Sequence, residues 1–507
     1  MQLSAYIHIV YATLAAAAGY GYFRDKGNTV AEAGAYGLMA MLMLHSWTSQ
    51  TALIVGWQRF HHFGLALIGI PAAWIIGVHM GALKSLLHAV RRFAGRNWLP
   101  CGALAGIWVT LAALNVSRMG LFRAAGAAGG HSVLAAGGGS IFAKACSAGA
   151  PALAVLNHLV IAAPFQPAAA VIIANLSAWL VIALGTYALA RRYTWPATAA
   201  TVALLVVCIP RVLQQSTASN SELLPAAAVL LSLLAMYRGI EQPQAHDLVM
   251  LPAAVAFSVS GGRLCYLMPA VLAGLSLTVL RRRHPARHWP RALTAHRGAV
   301  LAALGAVLIF SQVGNVTLNL ANGKSWIGTP PLEEVAFNMD GIGGALANAG
   351  RYLFQAVHFP EGVDRIWNHV LGFSPRGSIE AVYRNTLGAL FGGRGAAAPF
   401  LLSWAARDPW GWFGPAGFFL ILPALAYALR RAPRRLKSTA AAMAAYFLAI
   451  ALILAWRPQN VRLMTIFFVG SGFIVAFFLP PWRISRRGRL ALQLFSMAVA
   501  ADTLMYL

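Results

Sequence analysis

Long apolar runs almost free of charge constrain this chain more than any other feature. The run AAAVIIANLSAWLVIALGTYALA at 168–190 is one of many. At 1.5 Å per residue, about 20 apolar residues in a helix cover the hydrocarbon of a bilayer. In water, so many runs would need a covering of charge. The 507 residues are 59% hydrophobic and only 10% charged, with mean hydropathy +0.66. A soluble domain carries about 25% charged residues. Lipid is the solvent this composition fits.

Runs of spanning character lie near 3–23, 33–55, 63–83, 99–117, 168–190, 196–210, 222–237, 248–260, 264–280, 298–316, 413–429, 438–456, 462–480 and 489–506. The expected fold is all-α, a polytopic transmembrane helical bundle of about 14 spans. The short apolar stretch 151–163 reads as a re-entrant or interfacial piece. The first run has neither a basic lead nor a small-residue cleavage site, so it reads as a retained helix.

The 39 Lys+Arg outnumber the 13 Asp+Glu, for a formal net charge of +26. Such a balance raises nucleic acid as a partner. The basic residues, however, sit in short clusters between apolar runs: Lys84 to Arg96, Arg191–Arg192, Arg238, Arg281 to Arg297, Arg430 to Lys437 and Arg483 to Arg489. That is the pattern of topology determinants, with the clusters cytoplasmic, and it argues for no nucleic acid. Alternation then puts 118–167, 211–221, 261–263, 317–412 and 457–461 outside, in a multi-pass membrane protein. Residues 317–412 hold seven of the acids, Glu333, Glu334, Asp340, Glu361, Asp364, Glu380 and Asp408, with helix-like pieces at 344–356 and 380–391. They read as an ordered outer cap. The domain division expected is a three-helix extension at 1–97 and one membrane domain at 98–507.

The stretch RVLQQSTASNSE at 211–222 is the most informative polar run, squeezed between two apolar spans. Gln214, Gln215 and Asn220 are side chains that hold sugar hydroxyls, and Arg211 is one that holds phosphate. The plain alternative is a solvated turn in which Ser221 caps the next helix. The four cysteines form no CxxC, and no histidine has metal-ligand spacing, so no metal and no cofactor are assigned. His61 and His62, which adjoin a span, and His45 and His79, inside spans, read as satisfied interior or interfacial histidines. Trp326, Trp367, Trp404, Trp410, Trp412 and Trp456 read first as an interfacial belt.

Several segments together resemble the GT-C class of membrane glycosyltransferases, which use polyprenyl-phosphate sugars and include the protein O-mannosyltransferases. The segments are 211–239 (RVLQQSTASNSELLPAAAVLLSLLAMYRG), 254–275 (AVAFSVSGGRLCYLMPAVLAGL), 309–330 (IFSQVGNVTLNLANGKSWIGTP), 407–431 (RDPWGWFGPAGFFLILPALAYALRR) and 455–469 (AWRPQNVRLMTIFFV). The resemblance implies transfer of a sugar at the outer face to an acceptor that the sequence does not name. Such a reaction needs a carboxylate to take the acceptor's proton and cations to neutralise the leaving phosphate. Glu222 and Asp408 are the catalytic candidates. Arg211, Arg263, Arg457 and Arg462 are the donor-phosphate candidates, with Lys324, Arg351 and Arg407 also on the outer side. Gln214, Gln215, Asn220 and Asn315 are the substrate-binding candidates. The family draws its general base from acids in its first long outer loop, whereas 118–150 contains no Asp or Glu. That departure keeps open a non-catalytic partner subunit. The runner-up to the transferase is a transporter or flippase for a lipid or small molecule, weakened by the few mid-span charges and the lack of a clear repeat, and the partner subunit is the third reading.

Overall fold

The computed structural model describes residues 2–55, 60–117, 167–218, 222–261, 267–283, 296–311, 320, 337–357, 359, 361–402, 413–480 and 484–506. Among them the chain is helical without a strand; extended pairing is confined to two isolated bridges, Phe337–Leu454 and Ala396–Trp456. Among the described residues four helices are long and apolar enough to cross a membrane: Trp98–Ser117, Ile172–Ala190, Leu223–Glu241 and Arg434–Ile453. Shorter apolar helices, such as Ala245–Phe257 and Val461–Gly472, accompany them. The expected span 63–83 does not run straight. It breaks at His79, where the helix ending at Val78 and the helix Met80–Arg96 meet at 74°. Lys84, Arg91, Arg92 and Arg96 share the second arm with exposed Met80, Leu87 and Val90, the mixed character of an interfacial helix.

The chain divides into two compact units, 1–189 with 215–329 and 190–214 with 330–507. Residues 1–97 fall within the first. There, helix Gln2–Asp25 turns back on Val30–Val55 through Gly27, whose φ of +78° suits a residue without Cβ. The two helices cross closely. A Cβ on Gly37 would lie 2.6 Å from the Tyr20 nitrogen, and one on Gly19 would lie 2.8 Å from the Gly37 Cα. Small residues at such a crossing are how helices pack where lipid removes the hydrophobic drive. The second helix starts with a reciprocal cap. Glu32 N–H donates to Thr29 Oγ1 (3.4 Å), and Thr29 N–H donates to Glu32 Oε2 (2.9 Å). Helix Leu223–Glu241 is the buried centre of this unit, packed on Val30–Val55, Ala245–Phe257 and Leu267–Arg283.

In the second unit, Gly341–Ala356 packs on Arg434–Ile453, and Pro196–Val207 packs on Arg486–Tyr506 and Val461–Gly472. Gln493 Nε2 donates to Thr201 Oγ1 at 2.7 Å across one of these contacts. Both apolar pieces expected within 317–412 are helical: Gly341–Ala356, and Pro375–Tyr383 continued by a π turn at Arg384–Gly388. The expected spans 413–429 and 462–480 are broken, the first by a π turn at Gly417–Ile421 and the second between Gly472 and Val475. Trp456, expected in an interfacial belt, is fully buried; its indole N–H donates to Gln355 Oε1 (3.2 Å). Trp367 does lie exposed.

Candidate functional site

The polar run after Pro210 folds as a short helix, Pro210–Gln215, a turn through Ala218, and a re-entry at Glu222. Proline pre-sets φ at the first helical position, which starts the short helix. Gln215, Ser216, Thr217 and Glu222 are all buried, so the described part of the run is not a solvated turn; residues 219–221, with the capping candidate Ser221, lie outside the described residues. Glu222 is itself the N-cap of Leu223–Glu241, yet its carboxylate makes no capping bond. Its Oε2 instead accepts from Gln215 Nε2 at 2.8 Å.

Two asparagines from apolar helices complete the arrangement. Asn115 Nδ2 donates to Leu111 O (2.9 Å) and Ser216 O (3.0 Å), and Asn175 Nδ2 donates to Ala218 O (2.8 Å). Because these partners are carbonyls, the amide orientation is fixed. Asn115 Oδ1, Asn175 Oδ1 and Gln215 Oε1 are then buried acceptors with no donor among the described residues. An unmet buried acceptor costs about 1–3 kcal/mol. All three belong to, or bond to, the segment that leads to the Glu222 carboxylate, and hydroxyl donors are the kind of group that would satisfy them.

The structure therefore brings Gln215 and Glu222 together and adds Asn115 and Asn175. The sequence reading missed both asparagines; the signal was a single amide inside an otherwise apolar run. Arg211 and Gln214 are half-buried on the same short helix as Gln215. Arg457 is half-buried and Arg462 exposed, at the entry to Val461–Gly472, and each has an interaction partner. Arg263, Asn220, Asn315 and Asp408 lie outside the described residues, as do 118–150 and 151–163.

A second buried polar group was also missed. Arg238, read from sequence as a topology determinant, is not a free interfacial charge. Its Nη1 donates to Glu32 Oε2 (3.2 Å), and its Nε stands 3.8 Å from Asp247 Oδ2. Tyr36 Oη donates to Asp247 Oδ1 (2.9 Å), and Asn28 Nδ2 donates to His246 Nε2 (3.1 Å). His246 and Asp247 precede the apolar stretch 248–260. Burial, helped by Arg238 and then Lys26, pushes the His246 imidazole down to about 4. Burial pushes the Asp247 carboxyl up to about 6, against the Tyr36 hydrogen bond and Arg238. Among the described residues no group of His, Cys, Asp and Glu could hold a metal ion. His45 is buried with its ring edge-on to Tyr11. His79 is only half-buried, at the helix break, and bonds to the exposed side chain of Asp25, an arrangement of the surface and not of the interior.

No family model matches the chain, no curated protein matches it, and no solved structure matches its fold. Its class rests on its own features: an all-helical chain with helices of membrane-crossing length and composition. Within that class it is distinguished by a buried carboxylate and amide group at the head of its most enclosed helix.

Proposed function

We propose that this protein is a GT-C-like membrane glycosyltransferase of about fourteen spans. It takes a sugar from a polyprenyl-phosphate donor at the outer face of a bacterial inner membrane. The observation that carries the reading is the buried Glu222–Gln215 pair (2.8 Å), in a segment whose Ser216 and Ala218 carbonyls are held by Asn115 and Asn175 with the oxygens of both amides left unmet. Hydroxyl-rich ligands satisfy such acceptors, and a carboxylate among them takes a proton from an attacking hydroxyl. The acceptor oxygen then bonds to the anomeric carbon as the bond from that carbon to the phosphate oxygen breaks. The phosphate leaves with the bonding electrons and is neutralised by arginine, the role assigned to Arg211, Arg263, Arg457 and Arg462. The five segments that resemble the GT-C class support the same reading. One observation favours a second reading, a non-catalytic partner subunit: residues 118–150 contain no acid.

The test is purification in native lipid, mass spectrometry for co-purifying polyprenyl-phosphate species, and a transfer assay on Glu222→Gln. The transferase reading expects bound lipid in both proteins and transfer in the wild type alone. Bound lipid with no transfer by the wild type supports the partner subunit. Absence of such lipid from the wild type overturns both.

A further inference from the structure

Arg351 is 1% exposed, and its burial is unusual in kind. A guanidinium has five N–H donors. Nε donates to Tyr383 Oη (2.9 Å), Nη1 to Asn348 Oδ1 (2.9 Å) and Arg394 O (2.7 Å), and Nη2 to Gly392 O (2.9 Å). All four acceptors are neutral, and among the described residues Arg351 forms no ion pair. A buried charge without a counter-charge is costly.

The same guanidinium borders a cavity of about 320 Å³, lined also by Glu380, Tyr383, Arg384, Gly392, Gly393 and Phe400. That volume is at the lower end for small-molecule sites, enough for a body of one ring. One Arg351 N–H is still unspent. Tyr383 accepts from Arg351, so its hydroxyl proton faces no acceptor among the described residues. The Tyr383 and Phe400 rings, 4.0 Å apart, supply an apolar wall. Glu380 is engaged through Oε1 by the Leu402 N–H (3.0 Å) and stands one helical turn before exposed Arg384. Two arginines and one carboxylate leave the lining one positive charge in excess, beside two unspent donors. That count fits a carboxylate.

We propose that this cavity is a binding site for a small ring-bearing carboxylate, with its two oxygens on Arg351 and the Tyr383 hydroxyl. The site is independent of the transferase reading. The π turn at Arg384–Gly388, an element that recurs at functional sites, sets Arg384 at its border.

The experiment titrates the full-length protein in phosphatidylcholine nanodiscs with benzoate, with its neutral isostere benzamide and with inorganic phosphate, read by saturation-transfer NMR. Gly393→Leu is the blocking variant, because a Cβ there meets nothing within 4 Å. Arg384→Gln is the second variant, on an exposed residue. Benzoate should bind roughly tenfold more tightly than benzamide, lose binding in Gly393→Leu and weaken roughly threefold in Arg384→Gln. Equal binding of benzoate and benzamide overturns the proposal. So does benzoate binding that both variants leave unchanged, or a preference for phosphate over benzoate.

Discussion

Arg238 and Arg351 are both buried arginines, one in each unit, and they are satisfied in opposite ways. Arg238 lies between two carboxylates, Glu32 and Asp247, which a hairpin cap and a helix start bring to it. Arg351 has no carboxylate and is held by a phenol, an amide and two backbone carbonyls. The first arrangement is complete in charge, with one acid to spare, and reads as structural. The second is rich in hydrogen bonds, with four of its five donors used, but among the described residues it has no counter-charge, which makes it the better place for a ligand. Counting hydrogen bonds alone would rank the two the other way.

The largest expected effect follows from removing the first cation. Arg238→Gln leaves Glu32 and Asp247 buried and uncompensated, at a cost of about 3–5 kcal/mol. Adding Glu32→Gln and Asp247→Asn to it should return most of that stability, since removing a whole buried network is far cheaper than breaking it. Unfolding of the three proteins in nanodiscs checks this. A single variant as stable as wild type would mean that the two acids are not charged against Arg238.

The next effect is in pH, at the Arg238 cluster. His246 has an ordinary value of 6.5, lowered on folding to about 4, so it sheds protons in the folded state. The stability it controls is present above 6.5 and is lost as pH falls toward 4. Asp247 runs from 3.8 to about 6, so it gains protons on folding. Its contribution is present below 3.8 and is lost as pH rises toward 6. Between about 4 and 6 the two slopes oppose and largely cancel. Asp247→Asn should expose the histidine, with stability falling by roughly 2–3 kcal/mol as pH drops through that window. His246→Gln should expose the acid and reverse the sign. Each is measured against the double variant, and parallel profiles in the two single variants would break the account.

How much of this was legible in the sequence depends on whether a feature is local. The helices follow from apolar runs, and the meeting of Gln215 with Glu222 is a seven-residue step that the polar run 211–222 already announced. The burial of Arg238 depends on Glu32, 206 positions away, and no local pattern carries that pairing. Arg351 was legible as a cation between apolar runs, but two of its four partners are backbone carbonyls, which no residue identity encodes, and Tyr383 is 32 positions away. The breaks at His79 and between Gly472 and Val475 fall inside runs whose composition stays apolar, so hydropathy alone reads straight through them. Trp456 reads as interfacial by type, yet it is buried against Gln355 by packing that arrives from another helix.

Arg351→Lys tests the geometric half of the comparison. Lysine keeps the charge but is a point donor on a flexible stem and cannot span the Gly392 and Arg394 carbonyls together with Tyr383. Loss of about two of the four bonds should cost about 2 kcal/mol. A lysine variant as stable as wild type would show that charge, not the planar fork, holds the 392–395 turn.

The smallest effect separates burial from bond count. Asp364, half-buried, is also a charge held, among the described residues, by neutral donors: Ser374 Oγ (2.8 Å) and the Arg376 N–H (3.1 Å). Ser374 is in addition the N-cap of Pro375–Tyr383 and accepts from Gly377 N–H at 3.1 Å. Ser374→Ala removes one bond to a charge and one cap at a stroke. Water reaches Asp364 and replaces the lost donor, so the change should cost about 1 kcal/mol, the value of the cap alone. It should also leave carboxylate binding near Arg351 untouched. A loss as large as that of Arg351→Lys would mean that neutral donors matter as much to a half-solvated charge as to a buried one. The contrast between Arg238 and Arg351 would then have to be explained by something other than the missing counter-charge.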